Sequence, residues 1–291
     1  MGLFGPKRIG LALGSGAARG LAHIGVLKAL EAAGIVPDVI TGTSMGAVVG
    51  SLYAACRTAA ELERVALAYD IRELVSLADL TLHRGALLNG EKVEAFLAEH
   101  LPERFEDLCI PFACVSTDLA RSERVVHREG ALVPAVRASL SIPVVFKPVR
   151  DGDRLLVDGA LTDPVPVSLA RALGAELLVA VDVTGRGTVA PPVPGEHETG
   201  LLRDVRSVLK GDTLGRRGTS AVELAVASIE TFEREVARPA LHAADIVISP
   251  GVHEIRAYEF LSVETLIALG EQAGAAAVSE IRKQARLRPL A

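Results

Sequence analysis

Residues 39–50 read Val39-Ile40-Thr41-Gly42-Thr43-Ser44-Met45-Gly46-Ala47-Val48-Val49-Gly50. A short β-branched run gives way to a tight turn and then to small and apolar residues that suit a helix. Gly42 to Gly46 fits G-x-S-x-G, the nucleophile-elbow pattern. The logic of that pattern is steric. A serine on a sharp strand-to-helix turn is held in a strained backbone conformation, and glycines two places before and after it let the strand and the helix pass closely. Its hydroxyl then points away from the packed elements. The helix N-terminus behind it offers unpaired N–H groups and a positive dipole, which favour developing negative charge.

Upstream of the elbow, Arg8 to Gly14 (R-I-G-L-A-L-G) reads as a strand buried on both faces. Gly14-Ser15-Gly16-Ala17-Ala18-Arg19-Gly20 follows it. A helix then runs from Leu21 to Ala33, with Ile24, Leu27 and Leu30 on one face and Gly34 as its C-cap. Pro37 to Thr41 is the second strand. The chain therefore opens β–α–β–α, which predicts right-handed crossovers and an α/β/α sandwich on a mainly parallel sheet. Two glycine-bearing turns lie at the carboxyl ends of successive strands, the edge where such sheets form sites. A dinucleotide fingerprint is disfavoured at the first turn. Its spacing is G-x-G-x-x-x-G, and the second strand ends in Gly-Thr-Ser without the acidic residue that would hold a ribose. An oxyanion loop fits better: N–H groups near Gly16 and Ala17 would stand beside Ser44, with the N–H of Met45 as a further donor.

Composition narrows the class. The chain has 291 residues, half of them hydrophobic, few aromatics and no Trp, so its core is aliphatic. A net charge of −5 with no long basic run argues against nucleic acid as a partner. Cys56, Cys109 and Cys114 form no C-x-x-C and read as buried thiols of a reducing compartment, not a disulfide frame or a zinc site. The first residues show no apolar signal segment. Val39 to Cys56 is uncharged, but its turn residues and the flanking Asp38 and Arg57 speak against a membrane span. The expectation is a cytoplasmic protein, peripheral at most to the inner membrane.

Downstream, Arg57 to Leu101 is helical and weakly patterned, with a loop at Leu80 to Gly90 and Asn89 as cap of the helix from Glu91. Ile110 to Thr117 reads as a strand that Arg124 to Arg128 can pair. Leu132 to Leu140 is a short helix, and Ser141-Ile142-Pro143 turns the chain back toward the sheet. Arg154 to Val157 is a strand ending in Asp158-Gly159-Ala160. Asp163-Pro164-Val165-Pro166 starts a helix, and Leu177 to Val183 is again a strand. Residues 185–200 read as a mobile loop, and Leu201 to Lys210 as an amphipathic helix suited to a core or to a lipid surface. A helix at Ser220 to Val236, a strand at Asp245 to Ser249 and a helix at Val263 to Arg286 close the chain. One domain spans 1–291, with its motif-bearing core at about 8–183.

A serine nucleophile needs a base. Asp182 with His242 or His253 supplies the chain order of an α/β-hydrolase triad, although the elbow arrives after only one β–α unit. His23 reads as a packed helix residue. Asp158 sits where a strand ends, and Gly159 lets the backbone approach closely.

Taken together, Gly14-Ser15-Gly16-Ala17-Ala18-Arg19-Gly20-Leu21-Ala22-His23-Ile24-Gly25-Val26-Leu27, Gly42-Thr43-Ser44-Met45-Gly46 and Asp158-Gly159-Ala160 resemble the patatin-like phospholipase family, in its small bacterial branch. Ala138-Ser139 and Ser141-Ile142-Pro143 fit the same branch. The resemblance implies an α/β/α sandwich, a Ser44–Asp158 dyad without histidine, a glycine-rich oxyanion loop, a lipid or ester substrate, and no metal or cofactor. Arg19 matches the loop's basic residue, which orients a phosphate or steadies the loop. The sequence departs from the family's usual triple glycine at Ser15 and Ala17, which keeps the N–H groups but adds Cβ atoms. A non-catalytic acyl-binding regulator on the same fold is the alternative that this departure favours.

Overall fold

The computed structural model describes residues 5–68, 90–184, 221–253, 255 and 263–287. The expected loop at 185–200, the amphipathic helix at 201–210 and the Asn89 cap lie outside these residues. The described strands are β1 (Ile9–Leu13), β2 (Val39–Thr43), β3 (Phe112–Asp118), β4 (Glu123–His127), β5 (Val149–Asp151), β6 (Arg154–Asp158), β7 (Leu177–Val181) and β8 (Ile246–Ile248). The helices are α1 (Ala22–Ala32), α2 (Met45–Ala54), α3 (Ala59–Ala68), α4 (Glu91–His100), α5 (Leu132–Ser139), α6 (Val167–Ala172), α7 (Ala221–Ala243) and α8 (Val263–Ala285).

Hydrogen bonds link the strands in the order β5-β6-β3-β2-β1-β7-β8, with β4 also paired to β3. The pairs β1–β2, β1–β7, β2–β3 and β7–β8 are parallel, and those made by β4, β5 and β6 are antiparallel. Alternation along β1 and β7 explains the three layers. Leu11, Leu13, Leu177, Val179 and Val181 pack toward α1, α2 and α8. Ala12, Leu178 and Ala180 pack toward α6 and α7. Strands covered on both faces must read as near-continuous apolar runs, as these do.

The registers explain where the site forms. Thr43 pairs with Val115, and the next residue of β3, Ser116, pairs with Asp158. β4 runs along β3 through both stretches, so it takes one edge of β3 while β2 and β6 share the other, end to end. The carboxyl end of β2, which leads into Ser44, therefore meets the carboxyl end of β6, which is Asp158.

Three expectations are corrected. Cys56 and Cys109 form a disulfide with a Cα–Cα distance of 5.5 Å, and only Cys114 is a buried free thiol among the described residues. The cause is local. The N–H groups of Cys109 and Ile110 both donate to the Ala54 carbonyl, at 2.8 and 3.3 Å. That lays the two segments side by side. The helix after Asp163 begins at Val167, with Pro166 as its N-cap. Helix α7 does not stop at Val236 but continues through Pro239 to Ala243, because Ala237 and Leu241 bury against the sheet layer.

Candidate active site

Ser44 is the N-cap of α2 at φ 57° and ψ −124°, a left-handed backbone that costs a non-glycine residue on the order of 1–3 kcal/mol. The surrounding packing enforces it. A Cβ on Gly46 would run into the Leu13 carbonyl, and one on Gly42 into the backbone of Gly46 and Ala47. Thr41 Oγ1 and Thr43 Oγ1 donate to the carbonyls of Pro166 and Asp163, at 2.9 and 2.8 Å, fixing β2 to the segment that enters α6.

From this turn the Ser44 hydroxyl donates to Asp158 Oδ2 at 2.6 Å. The other oxygen of Asp158 accepts from the Ala160 N–H at 2.9 Å. A Cβ on Gly159 would meet the Val115 carbonyl, so only glycine lets β6 end this close to β3. The Thr117 hydroxyl donates to the Asp158 carbonyl at 2.9 Å. Both Ser44 and Asp158 are 2% exposed. Burial raises the Asp158 carboxyl to about 7, against the opposing hydrogen bonds from Ser44 and Ala160.

The glycine-bearing loop follows β1. The Gly14 and Ser15 N–H groups donate to the carbonyls of Val181 and Pro164, at 3.0 and 2.8 Å. Ala17 has φ +48°, and a 3-10 turn covers Ala17–Leu21. Gly20 packs so closely on Met45 that a Cβ there would overlap its side chain. This brings the loop against the elbow. Gly14, Gly20, Gly42, Met45, Gly46 and Gly159 thus pack about the elbow and the Ser44–Asp158 pair, with Ser15, Gly16, Ala17 and Arg19 on the same loop as Gly14 and Gly20.

Several residues of the site were not read as such in the sequence. Ser139 Oγ accepts the Ser44 N–H at 3.0 Å, and the Ser141 carbonyl accepts the Asp158 N–H at 2.9 Å. The turn after α5 therefore braces both partners; the run Ala138-Ser139-Leu140-Ser141 was its signal. His23 is fully buried, and its Nε2–H donates to the Gly14 carbonyl at 2.8 Å. Burial lowers its pKa to about 4, so it is neutral at physiological pH and acts as a pin on the loop. Helix α7 adds two carboxyl groups: Glu230 pairs with buried Arg19 at 3.4 Å, and Glu233 accepts from the Ser15 hydroxyl at 3.4 Å. Their signal was helical spacing, since Glu230 and Glu233 share the face of Ala237 and Leu241. The histidines of the alternative triad stay outside this cluster. His242 and His253 are exposed, and Asp182 Oδ1 is engaged by the N–H and hydroxyl of Thr184.

The fold is thus a three-layer α/β sandwich in which a serine on a strand-to-helix elbow hydrogen-bonds to a strand-end aspartate. The sequence model described as Patatin-like phospholipase matches residues 11–171, more than half of the chain. The chain belongs to the patatin-like phospholipase family. It is 37% identical over 218 residues to an uncharacterized NTE family protein of Mycobacterium tuberculosis, covering 74% of this chain and 57% of that one. It is 29% identical over 290 residues to lysophospholipase NTE1 of Pyricularia oryzae, covering 97% of this chain and 19% of that one. Patatin-like phospholipase domain-containing protein 7 of Rattus norvegicus is 37% identical over 185 residues, or 61% of this chain and 14% of that one. The chain thus spans little more than half, or far less, of these relatives. Among solved structures, VipD from Legionella pneumophila aligns with a TM-score of 0.50 at 14% identity, over 96% of this chain and 67% of that one, a likeness of fold.

Proposed function

We propose that this chain is a serine lipid acyl hydrolase, of the phospholipase A, lysophospholipase or carboxylesterase type, working through a Ser44–Asp158 dyad. The observation that carries this reading is the 2.6 Å hydrogen bond from Ser44 Oγ, on a strained elbow, to a buried carboxylate. Ser44 Oγ attacks the ester carbonyl carbon while its proton passes to Asp158. The resulting oxyanion faces the N–H groups of Gly16, Ala17 and Met45, which take no hydrogen bond among the described residues. Collapse breaks the ester C–O bond, and Asp158 returns the proton to the leaving alcohol. Water then attacks the acyl-enzyme, giving its proton to Asp158, and the departing Ser44 oxygen recovers it as the fatty acid leaves. The exposed His242 and His253 disfavour the triad alternative. The scheme requires no metal or cofactor.

The substrate is a lipid ester met at a membrane surface, and contact with that surface is peripheral. Among the described residues, no helix is long and apolar enough to cross a membrane. The non-catalytic acyl-binding reading draws on the Cβ atoms of Ser15 and Ala17 and on the 2% exposure of Ser44. A serine-reactive phosphonate separates the two. The hydrolase reading expects covalent labelling at Ser44 that disappears in Ser44→Ala, with lipid vesicles present or absent. A folded protein that is never labelled is a binder.

A further inference from the structure

Helix α7 presents Glu230, Glu233, Ala237 and Leu241 on one face, at spacings of i, i+3, i+7 and i+11. The last two are core residues, so the same face carries two carboxyls into the protein. One of them meets the position where this chain departs from glycine. The Ser15 hydroxyl, a group that glycine could not supply, donates to Glu233 Oε2 at 3.4 Å. One turn earlier, Glu230 meets Arg19 at 3.4 Å. Arg19 has 2% of its side chain exposed, and its Nε finds no partner among the described residues. Among the described residues, the loop of Gly14 to Gly20 is therefore held by α7 at these two side chains, and from behind by His23.

We propose that Glu233 is a positioning residue of this active site: held against Ser15, it tethers the oxyanion loop to α7. This rests on the hydrolase reading above. Burial, and then the charges around it, keep this carboxyl neutral. The charged groups facing Glu233 are Asp158 at the end of β6, Glu230 on its own helix, and Arg19 in the 3-10 turn. Arg19 is already shared with Glu230. Behind the loop, His23 is neutral. A second ionised carboxyl would thus stand uncompensated beside Asp158. Burial first, then Asp158 and Glu230, push the Glu233 carboxyl up to about 8. Below that pH it holds its proton and remains a tether. Above it, negative charge appears next to the loop that must receive the oxyanion, and turnover falls.

The test uses the full chain, with p-nitrophenyl butyrate hydrolysis followed across the pH range and infrared difference spectra of the same proteins. Glu233→Ala is expected to lower kcat by about three- to tenfold with little change in KM, the kinetic equivalent of one modest hydrogen bond. Glu233→Gln, which keeps a neutral hydrogen-bonding side chain, is expected to rescue kcat and abolish the fall in rate above about pH 8. The acid limb should stay where Asp158 puts it. Ser15→Gly should lower kcat like Glu233→Ala, and the double variant should lose no more than either single one. The infrared spectrum reads Glu233 without turnover. At neutral pH the wild type should show a protonated-carboxyl stretch that Glu233→Gln lacks. An unchanged alkaline limb in Glu233→Gln, or no difference in the carboxyl stretch, overturns the proposal. If wild type and Ser44→Ala hydrolyse the ester equally, the hydrolase reading fails instead, and the infrared comparison still decides the state of Glu233.

Discussion

In the proposed dyad Asp158 must be ionised to take the Ser44 proton, yet its burial favours the neutral acid, with a carboxyl raised to about 7. Two consequences follow from the sign of that shift. Activity should rise with pH through about 7, as the base form becomes populated, which a kcat/KM profile on a short ester will show. Stability runs the other way. A carboxyl whose folded value is raised loses stability as pH climbs from its unfolded value, about 4, until it ionises in the folded state. Asp158→Asn should therefore abolish turnover while stabilising the fold by up to about 4 kcal/mol above neutral pH. The gap in thermal midpoint between variant and wild type should shrink toward about pH 4. A variant less stable than wild type at about pH 8 would contradict this account of the burial. His23 offers a second check. It pins the Gly14 carbonyl, so His23→Ala should cost about 1–3 kcal/mol and disorder the loop, read as a lower midpoint together with a lower kcat. At this scale the motifs marked residues that the fold brings together, Ser44 with Asp158 and the loop's Gly20 with Met45. Glu233 and Ser139 were not read as site residues: helical spacing and the Ala138-Ser139 run mark them, but only tertiary contacts bring them to Ser15 and Ser44.

At the scale of elements, backbone proximity decides what can change. Helices α1 and α8 cross where glycines replace side chains. A Cβ on Gly270 would strike the Ala22 carbonyl, and one on Gly25 the Ile267 carbonyl. Gly270→Val should force the helices apart and destabilise by about 2–4 kcal/mol, seen as a lower denaturation midpoint with an unchanged denaturant slope. Gly46→Val acts at the elbow, against the Leu13 carbonyl, and should lose both stability and phosphonate labelling. Element types read well from the sequence because both-faced burial and strand-end glycines leave strong marks. Boundaries read less well. Thr43 belongs to β2 because it pairs with Val115, and α7 runs past Val236 because Ala237 and Leu241 find a core. The Cys56–Cys109 disulfide was missed for the same reason: 53 residues separate the two cysteines, and only the fold brings them together.

At the scale of the whole molecule, the site exists because β2 and β6 meet end to end on one edge of β3. Neither strand carries that information alone, although the β–α–β–α opening already placed both glycine turns at the same edge of a parallel sheet. Helix α7 of the third layer then meets the loop through its two carboxyls, Glu230 at Arg19 and Glu233 at Ser15. The most direct measurement is hydrolysis of a short p-nitrophenyl acyl ester and of a lysophospholipid by wild type, Ser44→Ala and Asp158→Asn, side by side. The dyad predicts turnover by the wild type and a loss of at least about a hundredfold in each folded variant. Equal rates in wild type and Ser44→Ala would contradict it.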